Sequence, residues 1–344
     1  MHALRQRLFG TPAPGAAAAA VDLLQSTVPT ASPRDGERFT LVSSGGVAIV
    51  ATAFQPACLA QQDGPQQPSQ LPHTAIVIAP ATGVPQGLYR AFAVWLVGQG
   101  VAAYTFDFRG VAASRPVRLR GFQAGFVDWS EDINTVLAHV LGQHAQVSLI
   151  GHSMGGLLAP VAEHANALHR LVLVGAQTAL WRDWPLRQRL PMAMLWHALM
   201  PAATALVGYF PGRVLRLGED LPRGVALQWA SRPWRDPFDH PSVAVIRERY
   251  ARRLPPVHLV AASDDAFATT PAQDRVAQRL LQTLVSRHVW QPQALGLARL
   301  GHFDAFRRHA AALWPQLLGW ATEGSLHPRA NLLSQPPLSN STHL

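Results

Sequence analysis

The stretch that most restricts how this chain can fold begins at an apolar run, Val147 to Ile150. It leads without a break into Gly151-His152-Ser153-Met154-Gly155-Gly156, and a helical pattern follows. A G-x-S-x-G motif carries chemical meaning when a buried strand precedes it and a helix opens after it, and both conditions hold here. The spacing has a physical basis. A sharp turn holds Ser153 in a strained backbone conformation with Oγ above the sheet edge. Gly151 and Gly155 leave room for neighbouring chain that a Cβ would strike. The Met154 N–H, at the helix start, faces the same side and can stabilise a developing oxyanion.

The rest of the sequence supplies the sheet that such a turn needs. Thr74 to Ala79, Val101 to Phe106, Leu171 to Val174, Val257 to Ala262 and Ser286 to Trp290 read as strands. Helical spacing separates them over 87–99, which stops at Gly100, and over 125–143, 271–284 and 305–320. Short apolar strands alternating with helices imply an α/β fold, a mainly parallel central sheet covered by helices on both faces. Before it, Arg38 to Ser43 and Val47 to Phe54 read as a hairpin joined by Ser44-Gly45-Gly46. Residues 176–240 break the alternation. They hold Trp181, Trp184, Trp196, Trp229 and Trp234, half of the ten tryptophans, and are expected to form a helical lid insertion. The organisation predicted is a flexible extension over 1–36, core over 37–175 with a surface loop at 60–72, the insertion, core again over 241–322, and a flexible tail over 323–344.

Composition narrows the function classes. With 48% hydrophobic and 14% charged residues, the bulk of the chain must fold around a sizeable core. The formal charge of +9 invites a nucleic-acid reading. All 29 basic residues are arginine, however, and they are scattered rather than gathered on one face with interleaved aromatics, so nucleic acid is not the expected partner. Cys58 stands alone and builds neither an intrachain disulfide nor a cysteine-based zinc site. Ala193 to Phe210 is the most membrane-like stretch, but His197 and Pro201 interrupt it, and a helical pair is expected rather than a span. Near the N-terminus, Arg5 and Arg7 precede an alanine run broken by Pro12, Pro14 and Gly15, which argues against a signal peptide. The expectation is a cytoplasmic protein acting on a small molecule with no metal or organic cofactor. The oligomeric state is left open.

A serine hydroxyl is a poor nucleophile near neutral pH and needs a base, which in turn needs an orienting carboxylate. In a sheet of this kind the acid follows the serine in the chain and the histidine comes last. Ser263-Asp264-Asp265 follows the strand ending at Ala262. Asp265 is preferred because the acid sits a few residues past the strand, with Asp264 as the alternative. Among 15 histidines, His302 is singled out by its place between the last strand and the last helix and by the adjacent Gly301. His152, beside the nucleophile, is expected to point away and pack. A second oxyanion donor should come from Ala79-Pro80-Ala81-Thr82-Gly83-Val84. Pro80 has no N–H, which leaves Ala81 or Thr82, with Thr82 favoured. Asp107 and Arg109 read as an ion pair tying a loop near the site, and Asp128, Trp129 and Asp132 as residues of a helix start.

In this order, Ala79-Pro80-Ala81-Thr82-Gly83-Val84-Pro85, Asp107-x-Arg109-Gly110, the Ser153 motif, Asp264-Asp265 and Gly301-His302 resemble the α/β-hydrolase superfamily. More narrowly, the chain is similar to bacterial α/β-hydrolases of the serine aminopeptidase-like, or monoacylglycerol lipase-like, branch. The resemblance covers roughly residues 38–321, and extends into the insertion at Gly208-Tyr209-Phe210-Pro211 and Leu221-Pro222-x-Gly224 followed by Trp229. It implies hydrolysis of a carboxylic ester or thioester through an acyl-enzyme. Ser153 would attack, His302 relay the proton, Asp265 fix the imidazole, and Met154 and Thr82 bind the oxyanion. The apolar insertion suggests an acyl or aromatic pocket. Amide or peptide hydrolysis, acyl transfer, and a binding protein with an idle triad are the alternatives. Two departures stand out: the oxyanion loop lacks the superfamily's common His-Gly pair, and Pro160 falls within the helix after the turn.

Overall fold

A computed structural model describes residues 36–56, 73–178, 180–230 and 241–323. The terminal segments apart from Gly36 and Glu323, the loop at 60–72, Cys58 and Trp234 lie outside the described residues.

Eight strands form one sheet in the order β1-β2-β4-β3-β5-β6-β7-β8. They are β1 (Glu37–Ser43), β2 (Val47–Phe54), β3 (Thr74–Ala79), β4 (Ala102–Phe106), β5 (Gln146–His152), β6 (Leu171–Val174), β7 (Val257–Ala262) and β8 (Val285–Trp290). The β1–β2 hairpin and the β2–β4 pairing are antiparallel, and every other pairing is parallel. The hairpin turns on Gly45 and Gly46, both at φ 73°, in the left-handed region where a side chain is disfavoured.

The strand alternation sorts side chains onto two cores. On one face, Ile76, Ile78 and Ile150 pack with Phe92 and Leu96 of α1 (Arg90–Gly98) and Trp314 and Leu317 of α8 (Trp314–Thr322). On the other, Val77 and Leu149 pack with Trp129, Ile133 and Val136 of α2 (Phe126–Leu141) and with Leu157 of α3 (Met154–Leu158). The expected mainly parallel sheet with helices on both faces is what forms. Helix α3 is only five residues long. Ala159–Val161 tightens into a 3-10 turn at Pro160, which has no N–H to continue the ladder.

Between β6 and β7 lie α4 (Leu186–Met194), α5 (Met200–Val207) and α6 (Arg223–Ala230), with a π-turn at Leu195–Leu199 joining the first two. Leu186–Val207 is the one helical stretch among the described residues long and apolar enough to cross a membrane, by length and composition. Helix α7 (Thr270–Arg279) links β7 to β8.

Three readings need correction. Asp107 and Arg109 do not pair. Asp107 accepts the Gln86 backbone N–H at 2.7 Å and its side-chain amide at 2.9 Å. Arg109 instead forms a buried ion pair with Asp132 at 2.6 Å and a second with Asp128 at 3.2 Å. Asp132 is therefore a core anchor rather than a helix-start residue, whereas Asp128 does bond the Gly125 N–H at the helix N-terminus. The closing helix is also shorter than its apolar spacing predicts. Residues 304–313 wind as 3-10 turns because Arg307 is extended (φ −88°, ψ 154°) and breaks the helix.

Candidate active site

The loops that leave the carboxyl ends of β3, β5, β7 and β8 carry the candidate residues Thr82, Ser153, Asp264, Asp265 and His302. At the end of β5, Ser153 adopts φ 51° and ψ −110°, a conformation rare for a residue with a side chain. The Ser153 N–H donates to Val174 O at 2.9 Å and the Gly155 N–H to Pro80 O at 3.0 Å, which locks the turn to the neighbouring strands. A Cβ on Gly151 would lie 2.5 Å from Gly156 Cα, and one on Gly155 would lie 2.6 Å from the Ala79 carbonyl carbon. Backbone cannot yield there, so both positions must be glycine.

After β7 the two adjacent aspartates take different work. Asp265 is buried, and its Oδ2 accepts from His302 Nδ1 at 2.8 Å while its Oδ1 accepts the N–H groups of Phe267 and Ala268 at 2.8 and 2.9 Å. Burial opposes the Asp265 charge, but the His302 imidazole and those two N–H donors outweigh it and hold the carboxyl below its ordinary pKa. Asp264 is exposed and instead accepts the backbone N–H groups of Leu300 and Gly301, each at 2.9 Å. One carboxylate orients the imidazole and the other pins the loop that carries it.

Because Nδ1 of His302 faces a carboxylate, it carries the proton, and the basic lone pair sits on Nε2. The ring is held between Phe267 and Phe303, at centroid distances of 5.0 and 4.9 Å. The backbone of Gly175 closes over the pair: a Cβ there would lie 3.2 Å from His302 Cε1 and 3.4 Å from Asp265 Oδ2. Ser153 and His302 line one cavity of about 80 Å³. Across it the lining is apolar, from Leu195, Trp196, Met200, Phe210 and Trp229.

The spacing around Ser153 does not reveal a buried chain of hydrogen bonds behind it. The Ala81 N–H donates to Tyr89 Oη at 2.9 Å, the Tyr89 hydroxyl donates to His152 Nδ1 at 2.8 Å, and His152 Nε2–H donates to the His302 carbonyl at 2.7 Å. The carbonyl fixes the tautomer, since only a protonated Nε2 can face it. Burial, with the His302 charge adding to it, pushes the His152 pKa down to about 3, so the ring is neutral at ordinary pH. His152 does turn away from the cavity, but it links the turn, the β3 loop and the His302 loop rather than merely filling space. The same chain takes up the Ala81 N–H, so of the two donors considered in that loop only Thr82, which lines the cavity, has its backbone N–H free of this bond. No residue of the sequence flags Tyr89, which sits at the end of a 3-10 turn, Gln86–Tyr89, eight residues past Ala81. Among the described residues, no group of three or more His, Cys, Asp or Glu side chains is placed to hold a metal ion.

Residues 70–231 match the family described as serine aminopeptidase, S33. No curated protein matches the sequence. Among solved structures, the chain is similar to DcsB in complex with its substrate analogue (13% identity over 83% of this chain and 98% of that one, TM-score 0.54). It is also similar to brefeldin A esterase, a bacterial homologue of human hormone sensitive lipase (17% identity over 87% and 80%, TM-score 0.53). A third is the esterase EaEST from Exiguobacterium antarcticum (12% identity over 82% and 98%, TM-score 0.51). At these identities the likeness is one of fold. With the sheet order it shows the α/β-hydrolase fold, and the family match over residues 70–231 supports an assignment to the monoacylglycerol lipase-like branch.

Proposed function

We propose that the protein is a serine hydrolase that cleaves a carboxylic ester or thioester through an acyl-enzyme. The observation that carries this reading is the buried Asp265–His302 pair, whose imidazole faces the same cavity as a serine held at positive φ. Ser153 Oγ attacks the acyl carbon as His302 Nε2 takes its proton, and Asp265 stabilises the imidazolium. The N–H groups of Met154 and Thr82 receive the oxyanion. Collapse breaks the bond to the departing oxygen or sulfur, which leaves with the proton from His302. Water then gives a proton to the same nitrogen and attacks the acyl carbon, releasing the acid and restoring Ser153. The Ser153 hydroxyl makes no hydrogen bond to the imidazole in this structure. Such contacts commonly tighten only around substrate.

The described part of the insertion, residues 180–230, acts in this reading as a lid that supplies an apolar wall for the acyl group. The cavity of about 80 Å³ is smaller than the ~150 Å³ that admits a benzene ring, so the acyl group is compact unless the lid moves. The test is p-nitrophenyl ester hydrolysis across acyl lengths, with wild type and Ser153→Ala side by side. We expect an optimum at short chains and a loss of about 10⁴-fold or more in the variant. A wild-type protein inert to every ester and to a fluorophosphonate probe would overturn the reading.

A further inference from the structure

The space around His302 has two parts of different chemistry. Beyond Thr82, Gly83 and His302, which face both, lies a second chamber of about 440 Å³. Ser153 and the lid tryptophans do not line it, whereas Arg299, Asp304 and Arg307 do. Arg307 Nε bonds Asp304 at 3.0 Å, so those two charges answer one another, and His309 approaches the same carboxylate at 3.6 Å. Arg299 makes no ion pair among the described residues. Its side chain is exposed and folds back over its own loop, with Nη2 3.3 Å from where a Cβ on Gly301 would sit, and it lines the same chamber as His302. The neighbouring acids are engaged elsewhere. Asp264 holds the Leu300 and Gly301 N–H groups, Asp265 is buried behind the imidazole, and Glu219, on the wall of the first cavity, pairs with Arg213. Among the described residues, the chamber thus carries one uncompensated positive charge.

A tetrahedral intermediate on Ser153 must present its departing atom to His302 Nε2, which protonates it. The departing group therefore extends on the His302 side, where the larger chamber lies, and the acyl group occupies the smaller cavity. We infer that the leaving group is an alcohol or thiol of appreciable size bearing an anionic group, a carboxylate or phosphate, which Arg299 binds. This rests on the serine-hydrolase reading. The anionic group takes no part in bond changes: the acyl C–O or C–S bond breaks, its electron pair goes to the departing atom, and the His302 proton neutralises that atom. A guanidinium suits either anion, because its planar donors match paired oxygens.

The test uses the full chain and three acetyl esters of similar phenols: 4-acetoxybenzoate, 4-acetoxyphenyl phosphate and neutral methyl 4-acetoxybenzoate. Each rate is divided by the ester's own hydroxide-catalysed rate. At low salt, kcat/KM for the preferred anionic ester should exceed that of the neutral one about tenfold, through KM. The ratio should fall toward unity near 1 M salt, where the screening length is about 3 Å. Arg299→Gln should remove the preference and Arg299→Glu reverse it. Which anion shows the larger ratio distinguishes a carboxylate from a phosphorylated leaving group. Equal rates for anionic and neutral esters, or a preference that survives Arg299→Gln, would overturn the inference. If no ester turns over in a Ser153-dependent way, the hydrolase reading fails instead. Calorimetry on Ser153→Ala with 4-hydroxybenzoate and its methyl ester still decides the anion site: Arg299-dependent preference for the acid sustains it, and equal binding ends it.

Discussion

The two walls of the Ser153 cavity are built to different standards. On the sheet side most polar groups are engaged: both aspartates after β7, the His152 ring, the Tyr89 hydroxyl and the turn at Ser153 each have bonded partners, and the hydroxyls of Thr82 and Thr178 are the buried exceptions. The insertion side is uneven. Its ends are fastened, by Arg275 to Asp183 at 2.7 Å, by the Trp184 indole to Phe267 O at 3.2 Å, and by the Glu219 N–H to Gly83 O at 3.0 Å. Between those anchors α4 and α5 expose Leu186, Leu190, Met194 and Leu206, and the indole nitrogens of Trp196 and, on α6 beyond them, Trp229 are buried without partners. Chemistry needs groups held to fractions of an ångström, whereas a wall that must admit and release substrate gains from contacts that exchange readily. On the proposed reading, the better-bonded half is the catalytic frame, and the less-bonded half is where substrate choice can vary.

The adjacent aspartates offer the largest test of that division. Asp265→Asn should keep the fold but present the imidazole with an amide, favouring the wrong tautomer, and lower kcat by about 10⁴-fold. Asp264→Asn retains one acceptor of two on an exposed loop, so a loss of about tenfold is expected. Steady-state kcat on a short-chain ester, with melting curves for both variants, makes the comparison. If the larger loss fell on Asp264, the acid assigned to His302 would be the wrong one.

That pair also marks where sequence reading stops. The strands were legible because buried parallel strands are continuous apolar runs, and the nucleophile turn because backbone crowding demands glycine at 151 and 155. Position along the chain could bring Asp264 and Asp265 to the right loop. It could not say which side chain would turn inward, since that depends on the Phe267 and Ala268 N–H groups that receive Asp265. The Asp107–Arg109 pairing failed for the same reason: neighbours in sequence were outcompeted by Gln86 and Asp132, which arrive from other elements. Tyr89 carried no local signal, because its role depends on the fold bringing Ala81 and His152 to its hydroxyl. Apolar periodicity read the last helix too long, since 3-10 turns and an α-helix can bury the same residues.

His152 gives an intermediate test, through stability. Its folded pKa of about 3 lies below its ordinary 6.5, so the unfolded chain binds the proton first as pH falls. The contribution of the neutral ring is present above pH 6.5 and is lost progressively below it. At pH 5, about 1.5 pH units below the ordinary value, the loss is about 2 kcal/mol. Melting temperature measured from pH 7.5 to 5 should fall more steeply for wild type than for His152→Gln, which has no proton to bind. Parallel slopes would mean that the ring is not held neutral by burial.

The smallest effect separates two tryptophans of the insertion with similar burial. Trp184 donates its indole N–H to Phe267 O, whereas Trp229 Nε1 has no partner. Replacing either with Phe removes comparable apolar area. Trp184→Phe also leaves a buried carbonyl without its donor, while Trp229→Phe removes a donor that was already unsatisfied. Trp184→Phe should therefore be the more destabilising by about 1 kcal/mol, read from urea midpoints of the two variants. Equal midpoints would mean that the Trp229 N–H finds a partner in solution. The insertion would then be as well bonded as the sheet side, and the contrast between the two walls would rest on α4 and α5 alone.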